Sequence, residues 1–368
     1  MKFSCERDPI LKEIANAYEI ISTRNSLSIL SNVLLEARDD HLLVRATDLK
    51  VNYESSIPVT VATPGSITVF CDKLHGILRS LPGGEVEFKQ DDDFQLKIST
   101  RARNVRFQLK GIAAEKYPQF QTVDDSARFT FAQRDLIDMV AQTLFAVSDD
   151  ETRYFMNGVY LEKQQGKLTM VATDGRRLAY CSKEVDGAID DFTGVIIPSK
   201  ALQILRRQAP KEGDFSLAVT EKNFHVSYDR QRLASSIIDA QFPNYQRVIP
   251  DEQAYRIVID RTEFEEGLKR VSLLVEQKSR RVHLETQPDV IVIRSSEGEI
   301  GAAREEIPCE YSGPEQALAL NYTYLLEPLR EMRSDKVAVE FTDPSKSISL
   351  LPVPEADYFH VVMPMQTG

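Results

Sequence analysis

Two acidic clusters are the parts of this sequence whose spacing comes closest to that of a catalytic centre. Asp91, Asp92 and Asp93 are consecutive, and residues 149–151 (DDE) form a second cluster. Neighbouring carboxylates can hold a divalent cation that activates water for hydrolysis. Alternating apolar residues flank the first cluster, which favours a solvated hairpin turn, and the second is predicted to lie in a loop. We therefore expect no nuclease activity and no bound metal.

The other residue types that carry enzymatic chemistry are dispersed. The histidines lie at positions 41, 75, 225, 283 and 360, and the cysteines are Cys5, Cys71, Cys181 and Cys309. Neither set has the spacing of a metal site, and the cysteines are expected to be reduced thiols. The sequence contains no P-loop, G-x-S-x-G, H-E-x-x-H or glycine-rich dinucleotide motif. A non-catalytic protein without a cofactor is the prediction.

Composition indicates a globular protein of two or three domains. The chain has 368 residues, of which 42% are hydrophobic and 27% charged, with a net charge of −11. No apolar run approaches the ~20 residues that span a bilayer, and the opening MKFSCERDPI lacks a signal-peptide core, so a cytoplasmic location is expected. The acidic net charge argues against a general nucleic-acid coat but leaves room for a local basic surface.

Each third of the chain begins with a short strand and an amphipathic helix. The segments are FSCERDPILKEIANAYEIIS, FTFAQRDLIDMVAQTLFAVS and IVIDRTEFEEGLKRVSLLVE. Apolar residues recur three or four positions apart on each helix: Ile10, Ile14, Tyr18 and Ile21; Leu136, Met139, Val140, Leu144 and Val147; Phe264, Leu268, Val271 and Val275. Asp8 before Pro9 is predicted to be the N-cap of the first helix.

Further markers recur in the same order. Ala-Thr-Asp stands at 46–48 and 172–174, with a degenerate copy at 293–296, and Leu-Arg pairs stand on a second helix at 78–79, 205–206 and 329–330. A hairpin of alternating apolar residues follows each second helix, and in the first one Val86, Phe88, Phe94, Leu96 and Ile98 are predicted to share a face. The period is about 125 residues.

The repeated unit defines the expected fold. Two helices and about eight short strands give an α+β domain with helices packed on antiparallel sheets. Polar, acidic stretches near residues 123–128 and 250–255 indicate linkers, so we predict domains at 1–125, 128–250 and 253–368. A chain of like domains leaves unpaired strand edges at its two ends, and head-to-tail closure with a second chain is one way to cover them.

Cations are frequent on the predicted helices. They include Lys12, Lys73, Arg79, Lys200, Arg206, Arg207, Lys269, Arg270, Arg330 and Arg333, with carboxylates mixed among them. These residues form either ordinary solvated helix faces or a weak, salt-sensitive surface that contacts phosphates without reading sequence. No recognition helix or zinc finger accompanies them.

Several segments resemble the DNA polymerase III beta subunit family, the bacterial sliding clamps. The stretch 173–179, TDGRRLA, resembles the family's T-D-G-H-R-L-A segment, and RYFMNG at 153–158, FPNYQRV at 242–248 and VVMPM at 361–365 also fit. The match runs from end to end in the right order. It implies a head-to-tail homodimer of six domains whose helices line a hole around duplex DNA. Such a ring is a processivity factor that tethers a polymerase to DNA and catalyses nothing.

The resemblance also implies partners and a binding pocket. The expected partners are duplex DNA without sequence preference, the DNA polymerase III catalytic subunit, an ATP-dependent clamp loader, and other polymerases and repair proteins that carry clamp-binding peptides. The pocket between the second and third repeats accepts a short peptide, and its residues correspond to Met156, Thr173, Gly175, Arg176, Arg177, Leu178, Pro243, Val248, Asn321, Tyr324, Ser347, Val361, Met363, Pro364 and Met365. Arg177 is expected to hold a polar or anionic peptide group. Without the family, core filling is the simpler interpretation of these methionines.

The chain departs from the family pattern near this pocket. Arg176 replaces a common histidine, Met156 replaces a common leucine, and the tail QTG replaces an Arg-Leu ending. Peptide preference is therefore expected to differ, and the sequence does not specify which partner peptides bind.

Two further surfaces follow from the resemblance. The DNA-binding candidates are Arg24, Asp150, Arg153, Tyr154, Phe155, Lys200 and Arg247. Tyr154 and Phe155 either stack on exposed bases or serve as domain-interface aromatics. The expected dimer interface pairs Lys73, Arg103, Arg106, Phe107 and Leu109 with Leu273, Leu274, Glu297, Glu299, Glu305 and Glu306. A protein-interaction scaffold that never encircles DNA is the alternative to this reading.

Overall fold

The computed structural model describes residues 1–21, 29–91, 93–100, 105–120, 128–185, 191–296 and 301–365. The first repeat contains β1 (Lys2–Glu6), α1 (Arg7–Ile20), β2 (Asn32–Arg38), β3 (His41–Thr47), β4 (Val51–Pro58), β5 (Thr60–Thr63), β6 (Gly65–Phe70), α2 (Cys71–Ser80), β7 (Glu85–Gln90), β8 (Gln95–Thr100) and β9 (Arg106–Ile112). The second contains β10 (Phe129–Ala132), α3 (Gln133–Leu144), β11 (Gly158–Gln164), β12 (Lys167–Thr173), β13 (Arg177–Glu184), β14 (Phe192–Pro198), α4 (Ser199–Gln208), β15 (Asp214–Val219), β16 (Asn223–Tyr228) and β17 (Gln231–Ser236). The third contains β18 (Tyr255–Asp260), α5 (Arg261–Ser272), β19 (Arg281–Gln287), β20 (Val290–Ser295), β21 (Arg304–Glu310), β22 (Gln316–Asn321), α6 (Tyr322–Glu331), β23 (Lys336–Phe341), β24 (Ile348–Val353) and β25 (Tyr358–Val362).

The three repeats share one element order. Each begins with a strand and a helix, continues through four strands, and ends with a second helix and three more strands. The first repeat alone adds a short strand, β5. The predicted α+β unit of two helices and about eight strands is confirmed. None of the helices in the described ranges is long and apolar enough to cross a membrane.

The chain forms two compact units that divide the second repeat between them. Unit 1 comprises residues 1–134 and 200–237, and unit 2 comprises residues 135–199 and 238–368. Unit 1 holds a thirteen-stranded sheet in the order β10-β15-β16-β17-β4-β3-β2-β6-β9-β8-β7-β1-β5. Unit 2 holds a twelve-stranded sheet in the order β14-β11-β12-β13-β25-β24-β23-β18-β21-β20-β19-β22. The predicted domain boundaries stay a prediction, because the boundaries of the two compact units fall at other positions than those of the three predicted domains.

Antiparallel strand pairing joins each repeat to the next. In unit 1, Gln231 to Ser235 of β17 pair with Ser55 to Val51 of β4. In unit 2, Tyr358 to Val362 of β25 pair with Cys181 to Arg177 of β13. In both cases the last strand of one repeat lies beside the third strand after the first helix of the preceding repeat. Main-chain hydrogen bonds therefore continue from one repeat into its neighbour.

The repeated Ala-Thr-Asp motif forms the same turn in the first two repeats. Asp48 Oδ1 accepts hydrogen bonds from the amides of Lys50 (3.0 Å) and Val51 (2.7 Å). Asp174 Oδ1 likewise accepts from the amides of Arg176 (2.8 Å) and Arg177 (3.1 Å). An aspartate that bonds amides two and three residues ahead fixes a tight connection between strands. In the third repeat Ser295 ends β20, and residues 297–300 lie outside the described ranges.

Two local expectations are wrong. Helix α1 begins at Arg7 after Glu6, so Asp8 lies in the first helical turn, where its carboxylate pairs with Arg7 Nε at 2.7 Å instead of capping the helix. Phe94 is 43% exposed with φ +52°, because it belongs to the β7–β8 turn and not to the strand. The other four residues of that predicted face, Val86, Phe88, Leu96 and Ile98, are fully buried. Asp91 forms the predicted turn by accepting from the amides of Asp93 and Gln95, while Asp92 lies outside the described residues.

A buried carboxylate connects α1 to the junction between the first two repeats. Glu13 is only 6% exposed, and it accepts hydrogen bonds from the Tyr53 hydroxyl on β4 and from Gln231 Nε2 on β17, at 3.2 Å to each of its oxygens. Burial and the neighbouring Glu13 charge both raise the pKa of Tyr53, which therefore remains a neutral donor. The carboxylate thus orients a helix over two paired strands.

Removing the Tyr53 hydroxyl tests this network. We expect Tyr53→Phe to destabilise the protein by about 1–2 kcal/mol, because a buried carboxylate oxygen loses a donor that water cannot replace. Urea unfolding followed by circular dichroism measures the change. Tyr154→Phe is the matched control, since Tyr154 is 55% exposed. Equal midpoints for the two variants would contradict a stabilising role for the network.

Candidate functional site

An apolar cleft in unit 2 lies where four chain segments meet. They are the 3₁₀ turn Glu151–Met156, the turn between β12 and β13, residues 243–248, and the end of β25. The cavity has a volume of about 170 Å³ and is lined by Met156, Thr173, Gly175, Arg176, Arg177, Leu178, Pro243, Asn244, Tyr245, Val248, Val361 and Met363. Ten of these are residues that the sequence predicted for the peptide pocket.

The floor of the cleft is buried and its walls are exposed. Leu178 and Val361 are paired across β13 and β25, and each is only 2% exposed. They belong to an apolar cluster that includes the stacked rings of Tyr180 and Phe359, whose centroids are 4.8 Å apart. Val248 is 49% exposed and Met363 45%. Such a surface suits apolar side chains of a short ligand, and methionine adapts to varied shapes.

Tyr245 is held on the cleft wall by a buried acid. Glu162, which is 8% exposed, accepts hydrogen bonds from Tyr245 (2.7 Å) and Tyr160 (3.1 Å). Burial is the main reason that the pKa of Tyr160 is raised to about 12, so this hydroxyl stays protonated. The two hydroxyl donors satisfy the buried carboxylate of Glu162, and these hydrogen bonds position the rings of Tyr160 and Tyr245.

A glycine in the left-handed backbone region lies at the β12–β13 turn beside the cleft. Gly175 has φ +85°, and the register of the repeats places Leu49 at the equivalent turn position with φ +74°. Leu49 projects a side chain that is 61% exposed. A leucine therefore occurs in this backbone conformation at the first junction, whereas a Cβ at Gly175 would lie 3.0 Å from Arg153 Nη1, so glycine suits the close approach of this guanidinium.

Arg177 is the most heavily bonded residue beside the cleft. Its Nε donates to Asp174 Oδ2 at 3.1 Å, Nη1 donates to Glu327, and Nη2 donates to the Phe145 carbonyl at 2.5 Å. The guanidinium carbon also lies 4.5 Å from the centre of the Tyr324 ring. The expectation that Arg177 holds a peptide anion stays a prediction, and in this structure its guanidinium is paired with Asp174 and Glu327. The exposed cation on the rim is Arg176.

His360 lies beneath this arginine without adding charge. It is 2% exposed, packs against the rings of Phe145 and Tyr358, and neither ring nitrogen has a hydrogen-bond partner within the described ranges. Burial, with a smaller contribution from the Arg177 charge, lowers the pKa of His360 to about 3. The imidazole is therefore neutral at physiological pH and does not repel Arg177.

The remaining predicted pocket residues do not line the cavity. Asn321 caps α6 by accepting from the Thr323 amide at 3.0 Å, and Tyr324 lies against Arg177. The Ser347 carbonyl accepts from Gln253, the Met365 amide donates to the Ala319 carbonyl, and Pro364 is half-buried. Asn244 and Tyr245 were missed although they belong to the FPNYQRV segment, whose family likeness was the available signal.

The candidate DNA-binding residues are partly engaged inside the chain. Lys200 Nζ lies 2.5 Å from Asp48 Oδ2 and donates to the Ile20 carbonyl at 2.8 Å. Arg153 donates to Asp150 at 3.0 Å and to the Asp174 carbonyl at 3.2 Å. Phe155 packs on the apolar cluster, whereas Tyr154 is exposed, so the two aromatics differ in what they can contact. Arg247 is exposed, and Arg24 lies outside the described residues.

The candidate interface residues occupy exposed strands and a helix end. Phe107 and Leu109 are half-buried on β9 beside the exposed Arg106, and Leu273 after α5 is 81% exposed. Leu274 is half-buried. The charged candidates have partners within the chain: Lys73 pairs with Asp72 at 3.2 Å, Glu305 with Arg270 at 2.5 Å, and Glu306 with Arg304 at 2.7 Å. Arg103, Glu297 and Glu299 lie outside the described residues.

Three tandem α+β units joined strand to strand, with an apolar cleft at the second junction, define a DNA-clamp fold. The chain belongs to the DNA polymerase III beta subunit family. The family's N-terminal, central and C-terminal domain models match residues 1–121, 130–244 and 246–366. This family consists of accessory subunits and not of enzymes.

Individual relatives agree with this assignment. The chain is 44% identical over 371 residues to the beta sliding clamp of Treponema pallidum, with all of both chains covered. Among solved structures, the sliding clamp of Bacillus subtilis is 26% identical with a TM-score of 0.96, again over all of both chains. The Pseudomonas aeruginosa clamp solved with griselimycin is 30% identical with a TM-score of 0.94, covering 100% of this chain and 99% of that one.

Changing Arg177 tests its structural role at the cleft. We expect Arg177→Gln to destabilise the protein by about 2–4 kcal/mol, because Asp174 and Glu327 lose a shared cation in a half-buried site. Arg176→Gln is the matched control and is expected to change stability by less than about 0.5 kcal/mol, since Arg176 is exposed. Chemical denaturation of both variants gives the comparison. Similar small losses would mean that Arg177 is not a structural support.

Proposed function

We propose that this protein is a DNA polymerase processivity factor that works as a homodimeric ring around duplex DNA. In this proposal the helices face the duplex, and the cleft in unit 2 holds peptide segments of proteins that act on DNA. These include the polymerase III catalytic subunit, the ATP-dependent loader, and other polymerases and repair proteins. Topological linkage, not tight phosphate binding, keeps the ring on DNA. The proposed domains remain 1–125, 128–250 and 253–368.

The observation that carries the proposal is a pair of open strand edges, one on β9, the last strand of the first repeat, and one on β21, the third strand after the first helix of the third repeat. Residues 106–110 of β9 pair with β8 on one side, and on the other side β6 reaches only Gly111 and Ile112. Residues 304–308 of β21 pair with β20 on one side, and β18 reaches only Cys309 and Glu310. Within the described ranges, each of these edges lacks a second strand partner.

The strand pairing that joins one repeat to the next predicts what covers these edges. The last strand of the second repeat pairs with β4, and the last strand of the third repeat pairs with β13. Applied once more, the same rule pairs β21 of one chain with β9 of another. Two such contacts related by twofold symmetry close a dimer and cover the open edges of β9 and β21 in both chains.

Side chains at these edges support the pairing. Arg106 and Lys110 are exposed on β9, and Glu305 and Glu306 lie on β21. Phe107 and Leu109 lie between Arg106 and Lys110 on β9, and the highly exposed Leu273 follows α5, whose Arg270 pairs with Glu305. An apolar centre with complementary charges is the usual composition of a specific interface.

Weak DNA contact is consistent with the way that the helix cations are paired. Lys269 on α5 lies 2.8 Å from both Glu265 and Glu266, Arg207 on α4 lies 3.3 Å from Glu19, and Arg333 after α6 pairs with Asp138. Each pair reduces the free positive charge offered to a phosphate, so attraction to the duplex is spread out and salt-sensitive.

Ring closure is tested by solution mass and by retention on DNA. We expect light scattering at micromolar concentration to give twice the 41.7 kDa of one chain, with a hollow small-angle scattering profile. The ring should remain on circular DNA and leave linear DNA. Leu273→Asp should weaken association at least about 100-fold, because both contacts of the dimer lose a buried leucine and gain a charge.

Leu49→Asp is the control for this experiment. Leu49 is also highly exposed, at 61%, but lies in the β3–β4 turn, and strands β2 and β6 separate β3 from β9 in the sheet, so Leu49→Asp should leave association unchanged. If the wild-type chain is monomeric and does not bind circular DNA, the proposed clamp function is wrong, and a protein-interaction scaffold is the better interpretation.

Peptide binding is tested at the cleft wall. We expect Met363→Ala to weaken binding of a fluorescein-labelled hexapeptide containing Leu-Phe by about tenfold, since a truncated wall residue no longer covers the ligand. Fluorescence anisotropy with the full-length dimer measures the affinity. Phe94→Ala, at a similarly exposed apolar residue of the β7–β8 turn, should bind like the wild type. Equal affinities for all three proteins would place the peptide elsewhere.

A further inference from the structure

A second, larger groove lies at the junction of the first two repeats in unit 1. Its volume is about 610 Å³, and four arginines, Arg38, Arg45, Arg128 and Arg232, line it together with one carboxylate, Glu54. The groove is on the sheet face opposite α1. Tyr53 and Gln231 reach Glu13 of α1, so their neighbours Glu54 and Arg232 point to the other face by strand alternation.

Strand register places this groove at the position that the apolar cleft occupies one repeat later. Thr47 pairs with Asn52 and Thr173 pairs with Leu178, which makes the two turns equivalent. Counting along the paired strands, the cross-strand pair Leu178–Val361 corresponds to Asn52–Ala234. The stacked pair Tyr180–Phe359 corresponds to Glu54–Arg232.

The same backbone geometry therefore presents two different chemistries. At the second junction the strands carry aromatic and aliphatic side chains, and at the first junction they carry charges. Arg45 Nε lies 2.7 Å from Glu54, and Arg232 lies 3.5 Å from the same carboxylate. Glu54 thus pairs with two guanidinium groups. Burial lowers the pKa of His225, which also lines the groove, to about 4, so its imidazole contributes no charge at neutral pH.

We propose that this groove binds an acidic segment of a partner protein through the carboxylates of aspartate and glutamate side chains. Guanidinium groups bind carboxylates in paired hydrogen bonds, and arginine is favoured over lysine wherever this planar geometry matters. Arg38 and Arg232 are the accessible contacts, since their side chains are 52% and 66% exposed, and each lies at ion-pair distance from one carboxylate, Glu36 at 3.6 Å and Glu54 at 3.5 Å. Arg45 and Glu54 form the fixed floor between them.

The surroundings favour a peptide over a nucleic acid strand. Single-stranded nucleic acid is usually held by several aromatic platforms. Phe120 is the aromatic residue of this groove, and Arg45 already lies over its ring at 5.3 Å from the centroid. The backbone edges of β4 and β17 are paired with each other, so the ligand is recognised through side chains and not by strand addition. This inference does not depend on ring closure or on the cleft in unit 2.

The test uses the full-length protein and a fluorescein-labelled hexapeptide of alternating aspartate and glutamate. Anisotropy titrations at low salt should show saturable binding that is lost with the amide analogue of alternating asparagine and glutamine. The double variant Arg38→Gln/Arg232→Gln should bind the acidic peptide at least about tenfold more weakly, because it removes the two accessible guanidinium groups. Arg256→Gln/Lys346→Gln is the control that removes the same charge from unit 2, and it should bind like the wild type.

Three results would overturn the proposal. Equal weakening by both double variants would indicate general charge attraction rather than a site. Displacement of the acidic probe by the Leu-Phe hexapeptide would assign the binding to the unit 2 cleft. Tighter binding of a labelled single-stranded dT hexamer than of the acidic peptide, lost in Arg38→Gln/Arg232→Gln, would make the groove a nucleic-acid site.

Discussion

Pairing between the last strand of one repeat and the third post-helix strand of the preceding repeat is the interaction on which this structure depends. It occurs at β4–β17 and β13–β25, where five residue pairs join each couple. Because a backbone ladder is insensitive to side-chain identity, the junctions keep their geometry while their chemistry diverges. The cleft, the arginine groove and the proposed dimer contact all lie on or beside this one type of joint.

The sequence predicted the repeated fold well because its signals are local and redundant. Buried Leu78, Leu205 and Leu329 recur on the second helix of every repeat, each followed by an exposed arginine. The predictions were wrong where a residue's role depends on the exact position at which a helix or strand begins or ends. Asp8 looked like a cap but lies one residue inside α1, and Phe94 completed an alternating pattern but lies in a turn.

The cleft was predictable only in part. Family likeness supplied most of its lining, and the apolar floor follows from strand alternation at Leu178 and Val361. The pairing state of Arg177 was not predictable, since Asp174 is three residues away but Glu327 and the Phe145 carbonyl come from distant segments. The arginine groove has no motif at all, because Arg45, Arg128 and Arg232 become neighbours only through the β4–β17 ladder.

The carboxylate partners of the basic helix residues have a consequence for motion. Two of these cations already form ion pairs within the chain: Lys200 pairs with Asp48, and Lys269 pairs with Glu265 and Glu266. A phosphate that approaches such a cation competes with an internal acceptor and gains little net free energy. On a regular polyanion, the energy then changes little from one phosphate position to the next. A ring with such a lining would travel along the duplex with low friction, because no register along the helical axis is strongly preferred.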